Sequence, residues 1–345
     1  MKTLFSFAVI FFIIYIHFVG ATTLPQSTAD GLIFCCSDDD GDDLKKPETM
    51  GRLVSSLGSE NRVRISQQKC LEHSAKFCPE PSTPTYAVVG GTPVRYPGEF
   101  PHMVALGWRL TDNAGFSWFC GGSLVSEVFV LTAAHCTFSR GAGLVSGRPE
   151  IIRLGELDFT KNDTELQDIQ IQSIIIHPEY KPPSKYHDIA LLRLATPAKL
   201  TYLVRPVCLW QNETIEWPYE YPLRATAIGW GRTSQGGSGS DILQSVYLSL
   251  FTNQQCLESF GVTRTMNQGV IPQQICAGDS DGGKDTCSGD SGGPLSINLP
   301  SNRVGPCVHH QVGVTSFGMG CGSTMPAVYT RVSQYLDWIE RIVWP

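Results

Sequence analysis

The sequence of 345 residues is poor in charge and has no large excess of either sign. Charged residues make up 17% of it, against roughly 25% in an average soluble domain, and the net charge is -6 at pH 7. This balance gives no electrostatic reason to expect nucleic acid or an anionic membrane as a partner. Hydrophobic residues nonetheless make up 42%, which is ample for a core and excludes a wholly disordered chain.

The sequence has a single long apolar run, at residues 4–19. This run comes after Met1 and Lys2 and is shorter than the ~20 residues needed to span a bilayer. Val19 and Ala21 then occupy the −3 and −1 positions of a cleavage site. We expect residues 1–21 to be a removable signal peptide rather than an uncleaved anchor, and the mature protein to be secreted. The sequons at Asn162 and Asn212 would then carry glycans on exposed loops.

Cysteine, glycine and proline are plentiful, with counts of 12, 34 and 22. An even number of cysteines in a chain expected to be secreted predicts disulfides. Short β-rich runs lie between turn signals from residue 88 onward, and Ile169, Gln170, Ile171 and Gln172 alternate at period two. These features predict a barrel of short strands, followed by a C-terminal helix for which Ser333 is the expected N-cap.

Residues 22–87 have little periodicity. They include an aspartate block at residues 37–43, which we interpret as a solvated linker, and a proline-rich segment at residues 79–84, which we interpret as an extended tether. We therefore divide the chain into a signal peptide (1–21), a pro-region (22–87) and a larger domain (88–345).

Three short segments carry residues suited to catalysis. His135 follows an apolar run, Asp188 stands at the head of a hydrophobic strand, and Ser291 is flanked by glycines. A charge at the head of such a strand is costly unless it has a partner. A serine hydroxyl is a poor nucleophile until a histidine accepts its proton and a carboxylate fixes the histidine tautomer. The combination predicts a Ser-His-Asp hydrolase.

The residues around Ser291 also fit Gly-x-Ser-x-Gly, the motif of α/β-hydrolases, which order their triad as Ser, acid, His. After Ser291 the histidines are His309 and His310, and no Asp or Glu lies between Ser291 and them. The α/β-hydrolase interpretation therefore fails, whereas the order His135, Asp188, Ser291 is that of the chymotrypsin arrangement. We expect His309 and His310 to lie on the surface rather than to bind a metal.

Residues 88–345 resemble the chymotrypsin-family serine proteases. The signature segments match in order at residues 88–91, 131–136, 188–191, 229–231, 289–294 and 328–332. Residues 99–103 and 313–318 are similar to those of the arthropod clip-domain proteases of haemolymph cascades. The resemblance implies an all-β fold of two antiparallel six-stranded β-barrels with a C-terminal helix, and a protease that requires no cofactor.

By this resemblance, Ser291 attacks the scissile carbonyl, His135 transfers the proton and Asp188 orients His135. The backbone N–H groups of Gly289 and Ser291 would bind the oxyanion.

The resemblance also places Asp285 at the base of the primary specificity pocket, where a carboxylate selects Arg or Lys. Gly318 would form the pocket wall. Ala327 replaces the glycine usual in trypsin-like enzymes, and its methyl group near the pocket base leaves the balance between Arg and Lys open.

The resemblance further implies a zymogen that is activated by cleavage between Ala87 and Val88. Asp290 would bind the new α-amino group of Val88 and thereby form the oxyanion loop. Because Ala87 is small and neutral, a protease that cuts after Arg or Lys does not readily cleave there. We expect no autoactivation and an upstream protease of non-tryptic specificity.

Family positions imply three disulfides and suggest a fourth: Cys120–Cys136, Cys256–Cys276, Cys287–Cys321 and Cys70–Cys208. The last would keep the pro-region attached as a light chain, and Cys78 is then left for Cys307. Cys35 and Cys36 resemble the final pair of a clip domain whose other cysteines are missing, so the clip is truncated or absent.

Four acidic residues lie in the loop where some family members bind calcium: Glu156, Asp158, Glu165 and Asp168. Two interpretations stand, a calcium loop and a solvated loop glycosylated at Asn162.

The leading hypothesis is a secreted trypsin-like zymogen in an extracellular cascade of innate immunity, melanisation or developmental signalling. Its expected partners are a downstream zymogen as substrate, the upstream activator and a serpin-type inhibitor. The alternatives are a catalytically silent regulatory homologue and a digestive trypsin. The long pro-region and Ala87 speak against the digestive enzyme.

Overall fold

The computed structural model describes residues 63–77, 92–112, 114–161, 165–213, 224–233, 237–279, 281–283, 285–298, 308–318 and 321–345. All of them belong to the unit Leu53–Pro345. The expected signal peptide and activation site (Ala87 and Val88) lie outside these residues, as do Cys35, Cys36, Cys78 and Cys307.

Six strands of the first half of this unit close into an antiparallel barrel. They are β2 (Met103–Arg109), β3 (Phe116–Ser126), β4 (Phe129–Thr132), β5 (Ile151–Leu154), β6 (Gln167–Ile176) and β7 (Ala190–Leu194). The order around the barrel is β2-β3-β4-β7-β6-β5. Its interior is filled by aliphatic side chains such as Leu106, Leu131 and Ile152, all fully buried. The predicted alternation is present in β6, where Ile169 is buried and Gln170 is exposed.

A second ring of six antiparallel strands follows. It consists of β9 (Arg224–Gly229), β10 (Gln244–Phe251), β11 (Gln274–Gly278), β12 (Pro294–Asn298), β13 (His309–Phe317) and β14 (Ala327–Arg331). The order is β9-β10-β11-β14-β13-β12, and pairing of β12 with β9 closes the ring. Two short strands add to it: β1 (Thr92–Pro93) pairs with β10, and β8 (Cys208–Leu209) pairs in parallel with β13. The predicted two-barrel fold is confirmed.

Among the described residues, three α-helices lie outside the barrels, namely α1 (Ile65–Phe77), α2 (Asn253–Phe260) and α3 (Leu336–Val343). The predicted C-terminal helix is confirmed in α3, which buries Leu336, Ile339 and Val343 against the core of the first barrel. The predicted cap is wrong, because Ser333 lies inside a 3₁₀ helix, Val332–Tyr335, that precedes α3. None of the helices in the described ranges is long and apolar enough to cross a membrane.

Helix α1 lies in the stretch where the sequence shows little periodicity. It is fixed to the rest of the unit by the disulfide Cys70–Cys208. Arg64, just before the helix, pairs with Asp337 and Glu340 of α3, and the Ser66 hydroxyl donates to Glu340 Oε1 at 2.6 Å. Contacts with distant residues therefore stabilise this helix, as is usual for short helices in proteins.

The expectation that His309 and His310 lie on the surface is wrong. His309 is 5% exposed, and its Nε2 lies 2.8 Å from the carbonyl oxygen of Glu99. Its ring packs against those of Phe100 and His102, and burial lowers its pKa to about 4. His310 is half-buried with its ring edge against Trp210. Both histidines lie in β13, where apolar packing holds them neutral.

Candidate active site

His135 is held at the end of β4 by restraints on both sides. The buried strand runs into a 3₁₀ helix, Ala134–Thr137, that contains His135. The Thr132 hydroxyl donates to the carbonyl oxygen of Gly121 in β3 at 2.7 Å, and the disulfide Cys120–Cys136 joins the same two segments. The imidazole remains 32% exposed, so a reactive ring projects from a fixed backbone.

Asp188 is buried and bonded to His135 at two points. Its Oδ1 accepts the backbone N–H of His135 at 2.9 Å, and its Oδ2 lies 2.7 Å from His135 Nδ1. Burial favours the neutral acid, but the adjacent His135 and the hydrogen bonds outweigh it, and the pKa of Asp188 is lowered. An ionised carboxylate at Nδ1 keeps the proton on that nitrogen and leaves Nε2 as the base.

The second barrel completes the environment of Asp188. Ser316 in β13 donates its hydroxyl to Asp188 Oδ2 at 2.5 Å, and Thr330 in β14 donates to the carbonyl oxygen of Asp188 at 2.8 Å. Asp188 is therefore bonded to both barrels. Neither partner is among the site residues predicted from the sequence. The segment at residues 313–318 contains Ser316, and the need of a buried carboxylate for several donors was the signal that could have identified it.

The loop of Ser291 packs directly against the residues that lead to His135. The carbonyl oxygen of Ser291 accepts the N–H of Gly121 at 2.7 Å. Gly292 has φ 77°, and a Cβ atom there would lie 2.2 Å from Thr132 Oγ1, so glycine is required. Gly289 has φ 110°, and a Cβ atom there would lie 2.8 Å from Gly231 Cα. The structure thus brings the Ser291 loop and the His135–Asp188 pair to one region between the barrels.

Asp290 points away from that region into the protein. Its Oδ1 accepts the N–H of Gly231 and its Oδ2 the N–H of Cys287, both at 2.8 Å. Burial raises its pKa to about 6, although both amides oppose the shift. A carboxylate in this setting is stabilised by a cation. The pairing with the amine of Val88 stays a prediction, because Val88 lies outside the described residues.

Asp285 is a carboxylate with one unsatisfied oxygen. Its Oδ1 accepts the N–H of Thr286 at 2.8 Å, while its Oδ2 is buried and has no hydrogen-bond partner within the described ranges. Burial raises the pKa of Asp285 to about 7, with a further contribution from Asp290. The Thr286 hydroxyl, 3.1 Å from the Tyr329 hydroxyl, ties this segment to β14. An orphaned carboxylate oxygen is suited to a ligand cation.

Gly318 and Ala327 face each other. A Cβ atom on Gly318 would lie 3.5 Å from Ala327 Cβ, and Ala327 is 1% exposed. The methyl group of Ala327 therefore occupies space beside Gly318, as expected if both line one pocket.

Three of the four carboxylates of the acidic loop are paired with side-chain cations. Glu156 and Asp168 both pair with Arg153, at 3.3 and 2.7 Å, and Asp158 pairs with Lys161 at 2.8 Å. The Lys161 and Thr160 bonds lower the pKa of Asp158 to about 2. Side-chain cations therefore neutralise Glu156, Asp158 and Asp168, and the choice between a calcium loop and a solvated loop stays a prediction.

The cysteines and sequons complete the predicted sites. The structure contains all four disulfides expected among described residues: Cys70–Cys208, Cys120–Cys136, Cys256–Cys276 and Cys287–Cys321. Asn212 is exposed, whereas Asn162 lies outside the described residues.

Comparisons with known proteins agree with this geometry. Residues 88–339 match the family model described as Trypsin. The chain is 42% identical to serine protease snk and 40% to serine protease Hayan, both of Drosophila melanogaster, over 81% and 72% of its length. It is 37% identical to phenoloxidase-activating factor 1 of Holotrichia diomphalia over 72% of its length. The matches span 65%, 38% and 68% of these relatives, respectively. The resemblance to arthropod serine proteases is confirmed, and the chain belongs to the trypsin family.

Proposed function

We propose that the chain is the zymogen of a secreted serine endopeptidase that cuts after arginine or lysine. The observation that carries the proposal is the bonding of Asp188. One buried carboxylate binds both the backbone and Nδ1 of His135 and accepts a hydroxyl of the second barrel. A buried charge is costly, so core packing alone does not explain this arrangement. A histidine that acts as a base does need such a carboxylate, because the carboxylate fixes its tautomer.

In this mechanism the Ser291 hydroxyl attacks the scissile carbonyl carbon while His135 Nε2 accepts its proton. Asp188 holds the Nδ1 proton and stabilises the imidazolium that forms. The N–H groups of Gly289 and Ser291 donate to the tetrahedral oxyanion, and such a donor typically contributes ~3–4 kcal/mol. His135 then protonates the leaving amine as the C–N bond breaks. A water molecule repeats the sequence on the acyl-enzyme and frees Ser291.

Specificity in this proposal comes from Asp285. Its buried, unpartnered Oδ2 supports a pocket for a cationic side chain, because a bound guanidinium or ammonium supplies the charge and the donor that the carboxylate lacks. Gly318 would form the wall of the pocket, and the methyl group of Ala327 would lie near its base.

Activation would follow cleavage after Ala87. The released amine of Val88 would pair with Asp290, and leaving a buried charge without its partner costs roughly 3–5 kcal/mol. That energy is enough to keep the oxyanion loop out of its active form in the uncut chain. The disulfide Cys70–Cys208 would keep the light chain attached.

One relative is named phenoloxidase-activating factor 1. This name supports the proposal that the chain activates another protein in a series of proteolytic steps. We place this chain in an extracellular cascade, with a downstream zymogen as substrate, a non-tryptic protease as activator and a serpin-type inhibitor. Glycans at Asn162 and Asn212 belong to the same proposal.

The direct test cuts the secreted zymogen after Ala87 and profiles the product on a peptide library. We expect cleavage after Arg and Lys, no cleavage by Ser291→Ala, and normal cleavage by Ser288→Ala, a matched neighbouring serine. A correctly cut protein that cleaves nothing would favour the silent homologue. The uncut zymogen should stay intact alone, and self-cleavage that accelerates with concentration would contradict the assigned activator.

A further inference from the structure

Two histidines and a glutamate lie together in the stretch of chain that leads into Asp188, and the proposed mechanism uses none of them. They are His177, Glu179 and His187, and one donor atom of each lies within 4.8 Å of the others. The two imidazole centroids are 5.4 Å apart, with ring planes 13° from parallel. His187 Nδ1 lies 3.8 Å from Glu179 Oε2.

The backbone holds the three donors in place. The N–H of His177 donates to the carbonyl oxygen of Ile189 at 3.1 Å, so the two ends of the loop that carries the donors are joined. His187 has φ 55°, a left-handed conformation that residues with a side chain rarely adopt. The surrounding structure therefore holds the backbone of His187 in a conformation that the residue alone does not favour.

The C-terminal helix region forms a rigid wall behind the cluster. Tyr335 and Trp338 present their rings edge-on to His177, each with centroids 5.1 Å away, and the Tyr335 hydroxyl lies 3.0 Å from His187 Nδ1. His177 is 9% exposed, while the side chain of Glu179 is 68% exposed. The cluster is thus closed on the protein side and open to solvent on the glutamate side, which gives a metal ion a path of entry.

Two imidazoles and one carboxylate, with water as the fourth ligand, are a common donor set for four-coordinate Zn²⁺. Calcium and magnesium prefer oxygen donors throughout. A tetrahedral zinc ion with bonds of ~2.0–2.1 Å needs its ligand atoms roughly 3.4 Å apart. His187 Nδ1 and Glu179 Oε2 are 3.8 Å apart, and all three donor atoms lie within 4.8 Å of one another. Rotation of the exposed Glu179 side chain would bring its carboxylate closer, and a small movement of the rings would bring the imidazole nitrogens to zinc-ligand spacing.

We propose that His177, Glu179 and His187 form a zinc-binding site. Two other groups of three metal-ligand residues occur in the described part of the chain: Cys70, Cys208 and His310, and Cys120, His135 and Cys136. Their cysteines are joined in disulfides and have no thiolate to offer a metal. Of these three groups, the His177 cluster is the one in which no donor residue is joined in a disulfide, although His177 Nδ1 accepts the N–H of Glu179 at 3.3 Å.

Zinc at this site would lower the proposed protease activity. Asp188 directly follows His187, and its carboxylate positions His135. Coordination that draws His187 toward the metal would displace Asp188, and a misplacement of about 1 Å can cost ~10²-fold in rate. This consequence rests on the proposed function, whereas zinc binding does not.

Calorimetric titration of the full chain with zinc chloride tests the site. We expect one equivalent to bind, and each of His177→Gln, His187→Gln and Glu179→Gln to weaken binding by more than tenfold, since even outer-shell changes cost ~10–100-fold. The matched control is His73→Gln, a histidine of α1 that should leave binding unchanged. Glu179→Gln is a substitution on an exposed side chain and keeps the test valid if a histidine variant misfolds. No binding by the wild type, or equal binding by the three variants, would overturn the site.

Peptide hydrolysis by the cut enzyme tests the coupling. Zinc should reduce the wild-type rate by about tenfold or more, and EDTA should restore it. The hydrolysis rate of Glu179→Gln should be nearly the same with and without zinc. Zinc that binds without slowing hydrolysis would overturn the coupling and leave the site standing. An enzyme inactive without zinc would count against the proposed function, and calorimetry would still decide the site.

Discussion

Asp188 and Asp285 are both withdrawn from solvent, yet their surroundings drive them to opposite states. Asp188 is bonded to His135, Ser316 and a backbone N–H, and its pKa is lowered. Asp285 has one amide partner and one orphaned oxygen, and its pKa is raised to about 7. Asp188, between the barrels, has its hydrogen-bond partners without substrate, whereas one oxygen of Asp285 has none among the described residues.

This difference separates two roles that burial alone cannot distinguish. A carboxylate whose partners are all supplied by the protein holds a neighbouring side chain in place, as Asp188 does for His135. A carboxylate that lacks a partner can still accept a hydrogen bond or form an ion pair with a ligand. The variants and the ligand that follow alter either Asp188 or the proposed pocket of Asp285.

Asp188→Asn should have the largest effect. The amide cannot hold the proton on His135 Nδ1, so kcat should fall on the order of 10⁴-fold, as is typical when this carboxylate is neutralised in a triad. The measurement is peptide-amide hydrolysis by the cut enzyme, with circular dichroism to verify folding. Asp168→Asn, an exposed carboxylate paired with Arg153, is the control. A loss of less than tenfold would show that Asp188 serves structure only.

Asp285→Ser should change specificity and raise stability. Loss of the carboxylate should reduce cleavage after Arg and Lys by ~10⁴-fold, the scale at which a polar site rejects a ligand that leaves its groups unpaired. The free energy of unfolding should rise by about 1 kcal/mol, because an unsatisfied buried group is removed. Denaturant titration should show the full gain at pH 8, a smaller gain at pH 5 and none below pH 3. The pKa of Asp285 is raised from 3.8 to about 7 in the folded protein, so the penalty for ionising the carboxyl grows between these two values and is complete above 7. A destabilised variant would mean that Asp285 has a partner.

Binding of benzamidine should depend on pH through Asp285. In the free protein this carboxyl has a pKa of about 7, and the amidinium binds its ionised form. Affinity for cut Ser291→Ala protein should be constant above pH 8 and should approach a tenfold loss per pH unit below 7. Asp285→Ser in the same background should bind weakly at every pH. A midpoint near pH 4 would show that Asp285 is solvated in the pocket.

Ala327→Gly should have the smallest effect and leave the Asp188 side unchanged. Removing one methyl group makes room near the pocket base for a water that lets the shorter lysine side chain reach Asp285. The Lys-to-Arg ratio of kcat/KM should rise by about tenfold, the scale of one methylene in a pocket. Glycine in β14 should cost roughly 0.5–1 kcal/mol in stability. An unchanged ratio would place the methyl group outside the pocket.

Local sequence predicted a barrel of short strands and the candidate reactive residues, whereas the two six-stranded barrels followed from the resemblance to chymotrypsin-family proteases. Alternating Ile and Gln predicted β6, and glycines around Ser291 indicated a close backbone approach that Gly292 makes against Thr132. The order of His135, Asp188 and Ser291 excluded the competing hydrolase fold.

Features that depend on distant contacts could not be predicted. Helix α1 is stabilised by Cys208 and by Glu340, far along the chain, so its own sequence carries little signal. The burial of His309 depends on Phe100 and His102 in the other half of the molecule. Ser316 and Thr330 meet Asp188 because two barrels pack together, and no local pattern encodes that.

Labelling with a fluorophosphonate, located by peptide mass spectrometry, tests most directly whether Ser291, His135 and Asp188 act as one unit. Protein cut between Ala87 and Val88 should incorporate one equivalent on Ser291, while the uncut chain and cut His135→Ala should incorporate almost none. A label on another serine, or equal labelling of Ser291 without His135, would contradict the account.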